Sequence, residues 1–132
     1  MNFGFPAEKR LIKGWQFDLV FRTGRRETGA LVRLLFLTNR EGSAKAGVAV
    51  SKKIACAVQR SRGRRVMRES LRRFMPWLRD GVWIIASLKE SALNADAKDI
   101  YRDMAALLKR NRLLAGGWKE RGWDIDTIRN GQ

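Results

Sequence analysis

From Ala55 to Phe74 the chain reads ACAVQRSRGRRVMRESLRRF, with no proline and no alternation of apolar and polar side chains. A stretch of this kind is a helix. Wound at about 100° per residue, it separates its side chains cleanly. Cys56, Gln59, Gly63, Val66, Met67, Ser70, Leu71 and Phe74 share one face. Ser61, Arg64, Arg65, Arg68 and Arg72 share the opposite face, and Arg60 and Arg62 flank it near the helix start. One side must be covered and the other must face solvent or a partner. The helix therefore has to lie on the surface of a layered fold, and Pro76 marks its end.

The cationic side is dense. Residues 51–73 hold nine of the 28 Lys and Arg, including Lys52, Lys53 and Arg73, against one acid, Glu69. Their net charge of +8 is more than half of the chain's +15. Like charges one turn apart cost about 0.2–0.5 kcal/mol per pair, a cost that a bound polyanion offsets. A merely solvated face usually mixes signs, and here only Glu69 breaks the run. Arginine also dominates over lysine, and its planar fork matches phosphate oxygens and stacks on bases. An anionic membrane surface is the other polyanion to weigh. It would need the apolar side of the helix, which the flanking strands need as their core.

At 132 residues, with 45% hydrophobic and 31% charged residues, the chain reads as one globular domain and not as a basic disordered tail. Its core is expected at about 10–114, with 115–132 as a tail that is either frayed or a small extra element. No apolar run approaches the ~20 residues that cross a bilayer. The N-terminus has no apolar secretion signal. There is one cysteine, Cys56, and no histidine. Disulfides within the chain and histidine-based catalysis are therefore out of reach. A soluble, cytoplasmic setting fits best. Cys56 is expected as a small buried residue on the core face.

Around the basic helix the remaining elements fall into place. WQFDLVFRT at 15–23 reads as a helix between Gly14 as N-cap and Gly24 as stop. Phe17, Val20 and Phe21 share one face, either as a core stripe or, in part, as an aromatic face open to bases. A short strand near 25–28 turns at Thr28-Gly29 into a longer one at 30–39. KAGVAVSK at 45–52 is the next strand, with Val48 and Val50 on one face and Gly47, Ala49 and Ser51 on the other. Those small residues either pack beneath a helix or let a ligand approach closely. GVWIIASL at 81–88 is a buried strand, and 95–114 is an amphipathic helix with Asn94 or Asp96 as cap and Gly116-Gly117 as stop. The order α-β-β-β-α-β-α gives an α+β fold, a small mixed sheet packed with helices.

Catalytic groups are scarce. Asp96, Asp99 and Asp103 could in principle hold Mg²⁺, but they read better as a solvated acidic face near a helix N-terminus. The residues alone thus admit an RNA-binding protein without catalytic groups of its own, of ribosomal or chaperone type.

The run KKIACAVQRSRGRRVMRES resembles the signature of the bacterial ribonuclease P protein component, K-K-x-G-x-A-V-x-R-N-R-x-K-R-x-x-R-E. Lys52, Lys53, Ala57, Val58, Arg60, Arg62, Arg65, Arg68 and Glu69 match it, and Arg64 replaces a lysine. Upstream, Phe17, Val20, Phe21, Gly24 and Arg25 fit the family's F-x-x-V-F and following G-R, so the resemblance spans about 10–112. Ser61 stands where the family has asparagine and Ala55 where it has glycine. Gly63 replaces a branched residue, at about 1 kcal/mol of helix propensity, which points to close helix–sheet packing or a bend. The resemblance implies a ribosomal-protein-S5-like α/β sandwich with a left-handed βαβ crossover. It implies that an RNA subunit carries the chemistry and removes the 5′ leader of precursor tRNA, with Mg²⁺ acting at the RNA and no protein ligand. It further implies that Lys52, Lys53, Arg60, Ser61, Arg62, Arg64, Arg65, Arg68 and Arg72 hold the catalytic RNA. Phe17, Phe21 and Ser51 would line a cleft for the single-stranded leader.

Overall fold

Two runs rich in leucine and isoleucine form the centre of the molecule. In the computed structural model, which describes residues 9–118 apart from Ile12 and Asn39, they are strands β2 (Val32–Leu37) and β4 (Trp83–Leu88). The other elements are α1 (Gly14–Thr23), β1 (Arg25–Thr28), β3 (Lys45–Ala49), α2 (Ala57–Phe74) and α3 (Ala97–Arg110). Single 3₁₀ turns at Met75–Trp77 and Glu90–Ala92 flank β4. The sheet order is β1-β2-β4-β3. β1 and β4 run antiparallel to β2, with Arg25 opposite Phe36 and Leu35 opposite Ile85, and β3 runs parallel to β4, with Gly47 opposite Ile85. This is the expected α+β mixed sheet, with α2 as the crossover between its parallel pair.

Because side chains alternate along a strand, the sheet has two dressed faces. Val32, Leu34, Phe36, Ile84, Ala86 and Leu88 meet Met67, Leu71 and Phe74 of α2 and Ile100, Met104 and Leu108 of α3. Leu35, Trp83 and Ile85 meet Leu11 and Val20, with Phe17 and Leu19 packed around them. Among the described residues, one face thus carries two helices, and the other carries Leu11 and the ten residues of α1, about 15 Å of helix. Among those residues, that imbalance leaves part of the second face uncovered.

Two glycines permit close contacts. A Cβ at Gly63 would lie 2.9 Å from Leu88 Cδ2 and 3.2 Å from Val50 Cγ2, so the helix–sheet approach expected there is real. At Gly29 a Cβ would lie 2.5 Å from an Asp103 carboxylate oxygen.

Several ends differ from the sequence reading. The strands are shorter than expected: β2 spans Val32–Leu37 rather than 30–39, since the N–H groups of Ala30 and Leu31 go to Asp103, and β3 stops at Ala49 rather than 52, where Ser51 to Ile54 form a turn closed by the Ile54 N–H on the Ser51 carbonyl at 3.3 Å. Lys13, not Gly14, is the N-cap of α1, and its N–H donates to Gln16 Oε1 at 3.0 Å. Cys56 is exposed and not buried: α2 begins at Ala57, so Cys56 is its N-cap and lies outside the helical periodicity that assigned it to the core. Its N–H donates to Gln59 Oε1 at 3.1 Å, which likewise keeps Gln59 out of the core. α3 stops at Arg110, well before the glycines. Asn111 Nδ2 donates to the Leu107 carbonyl at 2.8 Å, and Arg112 adopts φ 58°, which turns the chain back. The returning segment is docked: Leu113 accepts from the Arg79 N–H, and Trp118 lies 5.7 Å from the Phe74 ring. Residues 119–132 of the expected tail lie outside the described residues.

Candidate nucleic-acid interface

The nine cations of 51–73 do not form one uniform surface. Arg62 donates to the carbonyls of Leu93 at 3.2 Å and Ala95 at 2.8 Å, fastening α2 to the loop before α3. Arg60 donates to the Ala55 carbonyl at 3.0 Å, straightening the entry to the helix. Arg72 and Arg73 both grip Glu69, at 2.9 and 3.3 Å, and the Arg73 side chain is only 4% exposed. Partial burial pushes the Glu69 carboxyl up. The hydrogen bond and charge of Arg72, then those of Arg73, outweigh it and hold the group below the usual carboxylate range.

What remains is a smaller set. Among the described residues, the side chains of Lys52, Lys53, Arg64, Arg65 and Arg68 make no hydrogen bond or ion pair, and all but the half-buried Arg64 are exposed. Ser61 is exposed beside them. Ser51 is exposed, and its Oγ accepts the Lys53 N–H at 3.1 Å, which shapes the turn that presents both lysines. Of the expected RNA-contacting residues, the structure therefore leaves five cations and Ser61 open and engages Arg60, Arg62 and Arg72 within the fold.

The aromatic side is built on α1. Phe17 is half-buried, and its ring lies against Gly47, where a Cβ would come within 2.8 Å of it. Phe21, one turn on, is 38% exposed. The stripe is thus both core and surface: Val20 is fully buried, and the phenylalanines rise from the core to the rim. Beyond Gly47 on the same sheet face, Ala49 and Ser87 are register partners, and Ser87 is opposite Arg33. Ala49 and Ser87 are half-exposed and Arg33 is exposed, so small side chains and a cation floor the uncovered part of this face. The sequence reading named neither Arg33 nor Ser87. A lone arginine among the leucines of β2, two residues from Leu35 on the same face, is the signal that marks this position.

The two sets meet at the edge of the sheet. A pocket beside β3 is lined by Arg10, Leu11, Phe17, Ala46, Gly47, Val48 and Arg68. Arg68 of the cationic face of α2 and Phe17 of α1 thus border the same depression. The acidic trio resolves differently. Asp103 accepts the N–H groups of Ala30 at 3.2 Å, Leu31 at 2.8 Å and Val32 at 2.9 Å, so it is a clamp on the β1–β2 turn and not a solvated acid. Among the described residues, no three acidic or cysteine side chains cluster as metal ligands do. No helix there is long and apolar enough to cross a membrane.

A mixed-sheet α+β domain with an arginine-bearing crossover helix, an aromatic helix and open cations between them is an RNA-binding protein in kind. The ribonuclease P family profile matches residues 5–112. Among curated relatives, the ribonuclease P protein component of Thermoanaerobacter sp. strain X514 is 29% identical over 110 residues, covering 83% of this chain and 95% of that one. That of Desulfotalea psychrophila is 38% identical over 71 residues, 54% of this chain and 59% of the relative. The structure of the RNase P protein from Thermotoga maritima superposes with a TM-score of 0.68 at 25% identity, over 76% of this chain and 96% of that one. The chain belongs to the ribonuclease P protein family, the protein component of a ribonucleoprotein endonuclease of tRNA processing.

Proposed function

We propose that this chain binds the catalytic RNA through the open cations of α2 and its leading turn, and holds the 5′ leader of precursor tRNA against α1. The observation that carries this reading is the shared edge pocket, where Arg68 and Phe17 border one depression. A protein that only coated RNA would need the cations but not an adjoining aromatic track. Lys52, Lys53, Arg64, Arg65 and Arg68 supply phosphate contacts. Phe17 and Phe21 supply stacking surfaces, and Ala49, Ser51 and Ser87 leave room for a strand to approach. Mg²⁺ acts at the RNA, where phosphate oxygens bind it, and no protein ligand is assigned. The protein's part is then to position RNA and substrate, and alone it cleaves nothing.

The test is cleavage of precursor tRNA by a bacterial ribonuclease P RNA at low magnesium, with and without this chain. The expected result is no cleavage by protein alone, a lowered magnesium requirement for the RNA, and tighter binding of precursor than of mature tRNA. Equal affinity for the two tRNAs in the reconstituted complex would sink the leader role.

A further inference from the structure

A second aromatic surface lies on the other flank of α1. Val20 points straight into the core, and Phe17 and Phe21 lie to one side of it. On the helical wheel Trp15 and Leu19 fall to the other side. Trp15 is 56% exposed, although its ring sits 5.7 Å from that of Trp83, tilted by 52°. Trp83 itself is only 6% exposed, and the Arg40 guanidinium lies 4.6 Å from its ring centroid. Packing on Trp83 takes one side of the Trp15 ring, and more than half of the Trp15 surface stays in water, on a base of a second indole and a cation.

The electrostatics select the occupant. Lys13 caps the same end of α1, and Lys45 is the register partner of Trp83 on β3. With Arg40 they supply three cations at this end of the sheet, against Glu41 and Asp80 in the adjoining turns and Asp18, which pairs with Arg22 on α1. An exposed indole with a guanidinium behind it suits a flat aromatic group joined to phosphate. Every nucleobase offers such a face, whatever its sequence. Trp15 also shares a ten-residue helix with Phe17 and Phe21, which fits one strand of RNA passing over both flanks.

We propose that Trp15, supported by Trp83 and Arg40, is a stacking site for an unpaired base of the precursor leader, beyond the nucleotides held at Phe17 and Phe21. This rests on the leader-binding reading above. The test uses the reconstituted ribonucleoprotein and precursor tRNAs with leaders of increasing length, comparing Trp15→Ala and Trp15→Leu with the parent chain. Both variants should weaken binding of long-leader precursors about tenfold, within the range that losing one base–aromatic stack produces, and the loss should vanish below a threshold leader length. Removing the base at one leader position should cost the parent the same factor and cost Trp15→Ala nothing further. Should Trp15→Ala fold poorly by its melting curve, Trp15→Leu and Arg40→Gln carry the same comparison. Leader dependence that responds to Phe17→Ala but not to Trp15 variants overturns this site and spares the leader reading. No leader dependence at all overturns both. A Trp15 effect on affinity for the RNA subunit alone, or on oligomeric state in light scattering, assigns the patch to another partner and overturns the proposal.

Discussion

Asp103 accepts the amide of Leu31 at 2.8 Å across 72 residues of sequence, and through the amides of Ala30 and Val32 it closes the β1–β2 turn onto α3. The carboxylate occupies the space in which any side chain at residue 29 would stand, so Gly29 and Asp103 form one device.

Replacing that carboxylate should therefore harm stability and not chemistry. Hydrogen bonds to a charged group contribute about 1.5–3 kcal/mol each, with incomplete additivity. Asp103→Asn should cost about 2 kcal/mol in urea unfolding and Asp103→Ala somewhat more. Gly29→Ala should also destabilise, by forcing the carboxylate away. Below their melting temperatures these variants should support normal cleavage in the reconstituted complex. Abolished cleavage by a fully folded Asp103→Asn protein would contradict the clamp role.

The arginines of α2 should divide by experiment as they divide in space. Arg62→Ala removes two hydrogen bonds to carbonyls of the loop before α3 and should cost about 1.5–3 kcal/mol of stability. Arg65→Ala and Arg68→Ala should leave the melting temperature nearly unchanged and weaken RNA binding. If the five open cations each neutralise a phosphate, the log–log salt slope of binding should be roughly −3.5 to −4.5. Each substitution among them should shallow it by about 1. An unchanged slope for Arg65→Ala would remove that residue from the interface.

Phe17 and Gly47 test the aromatic track from both sides. Gly47→Val places branched carbons where the Phe17 ring now lies, so the ring must move. The ratio of precursor to mature tRNA affinity should fall in Gly47→Val, in Phe17→Ala and in Phe21→Ala, by the ~1–3 kcal/mol of a base–aromatic stack or less. Stability should separate them: Phe21, on the rim, should change it by no more than about 0.5 kcal/mol, whereas half-buried Phe17 should cost more.

Much of this was legible in the sequence because periodicity reports burial. The helical wheel of α2 assigned Met67, Ser70, Leu71 and Phe74 to the core, and Gly63 announced the tight approach to Leu88 and Val50. The same wheel misplaced Cys56, because a wheel cannot say where a helix begins. It also treated all cations on the outer face alike. Arg72 differs from Arg65 through Glu69, and the flanking Arg62 is held by Leu93 and Ala95, from a loop 31 to 33 residues away. Asp103 misled for the same reason: its partners are backbone amides 71 to 73 residues distant, which no local pattern reveals. Chain-distant polar contacts were thus the part hidden from the sequence, while apolar periodicity was plain.

Glu69 offers a pH signature for the anchored end of α2. Its carboxyl titrates below the ordinary range in the folded protein, where Arg72 and Arg73 hold it charged. Folding therefore releases protons in the acid range, and the stabilisation is complete above the unfolded value of about 4.3. It is lost as pH falls through the lower folded value. Glu69→Gln should cost about 1–2 kcal/mol at neutral pH, between the ~0.5 of an exposed pair and the 3–5 of a fully buried one. Arg73 is nearly covered while Glu69 is half-exposed, which places the pair between those limits. Urea unfolding of parent and variant from pH 7 down to pH 3 should show a constant gap above about pH 5 that closes toward acid. A gap that is unchanged at pH 3 would mean that Glu69 stabilises α2 through packing rather than charge.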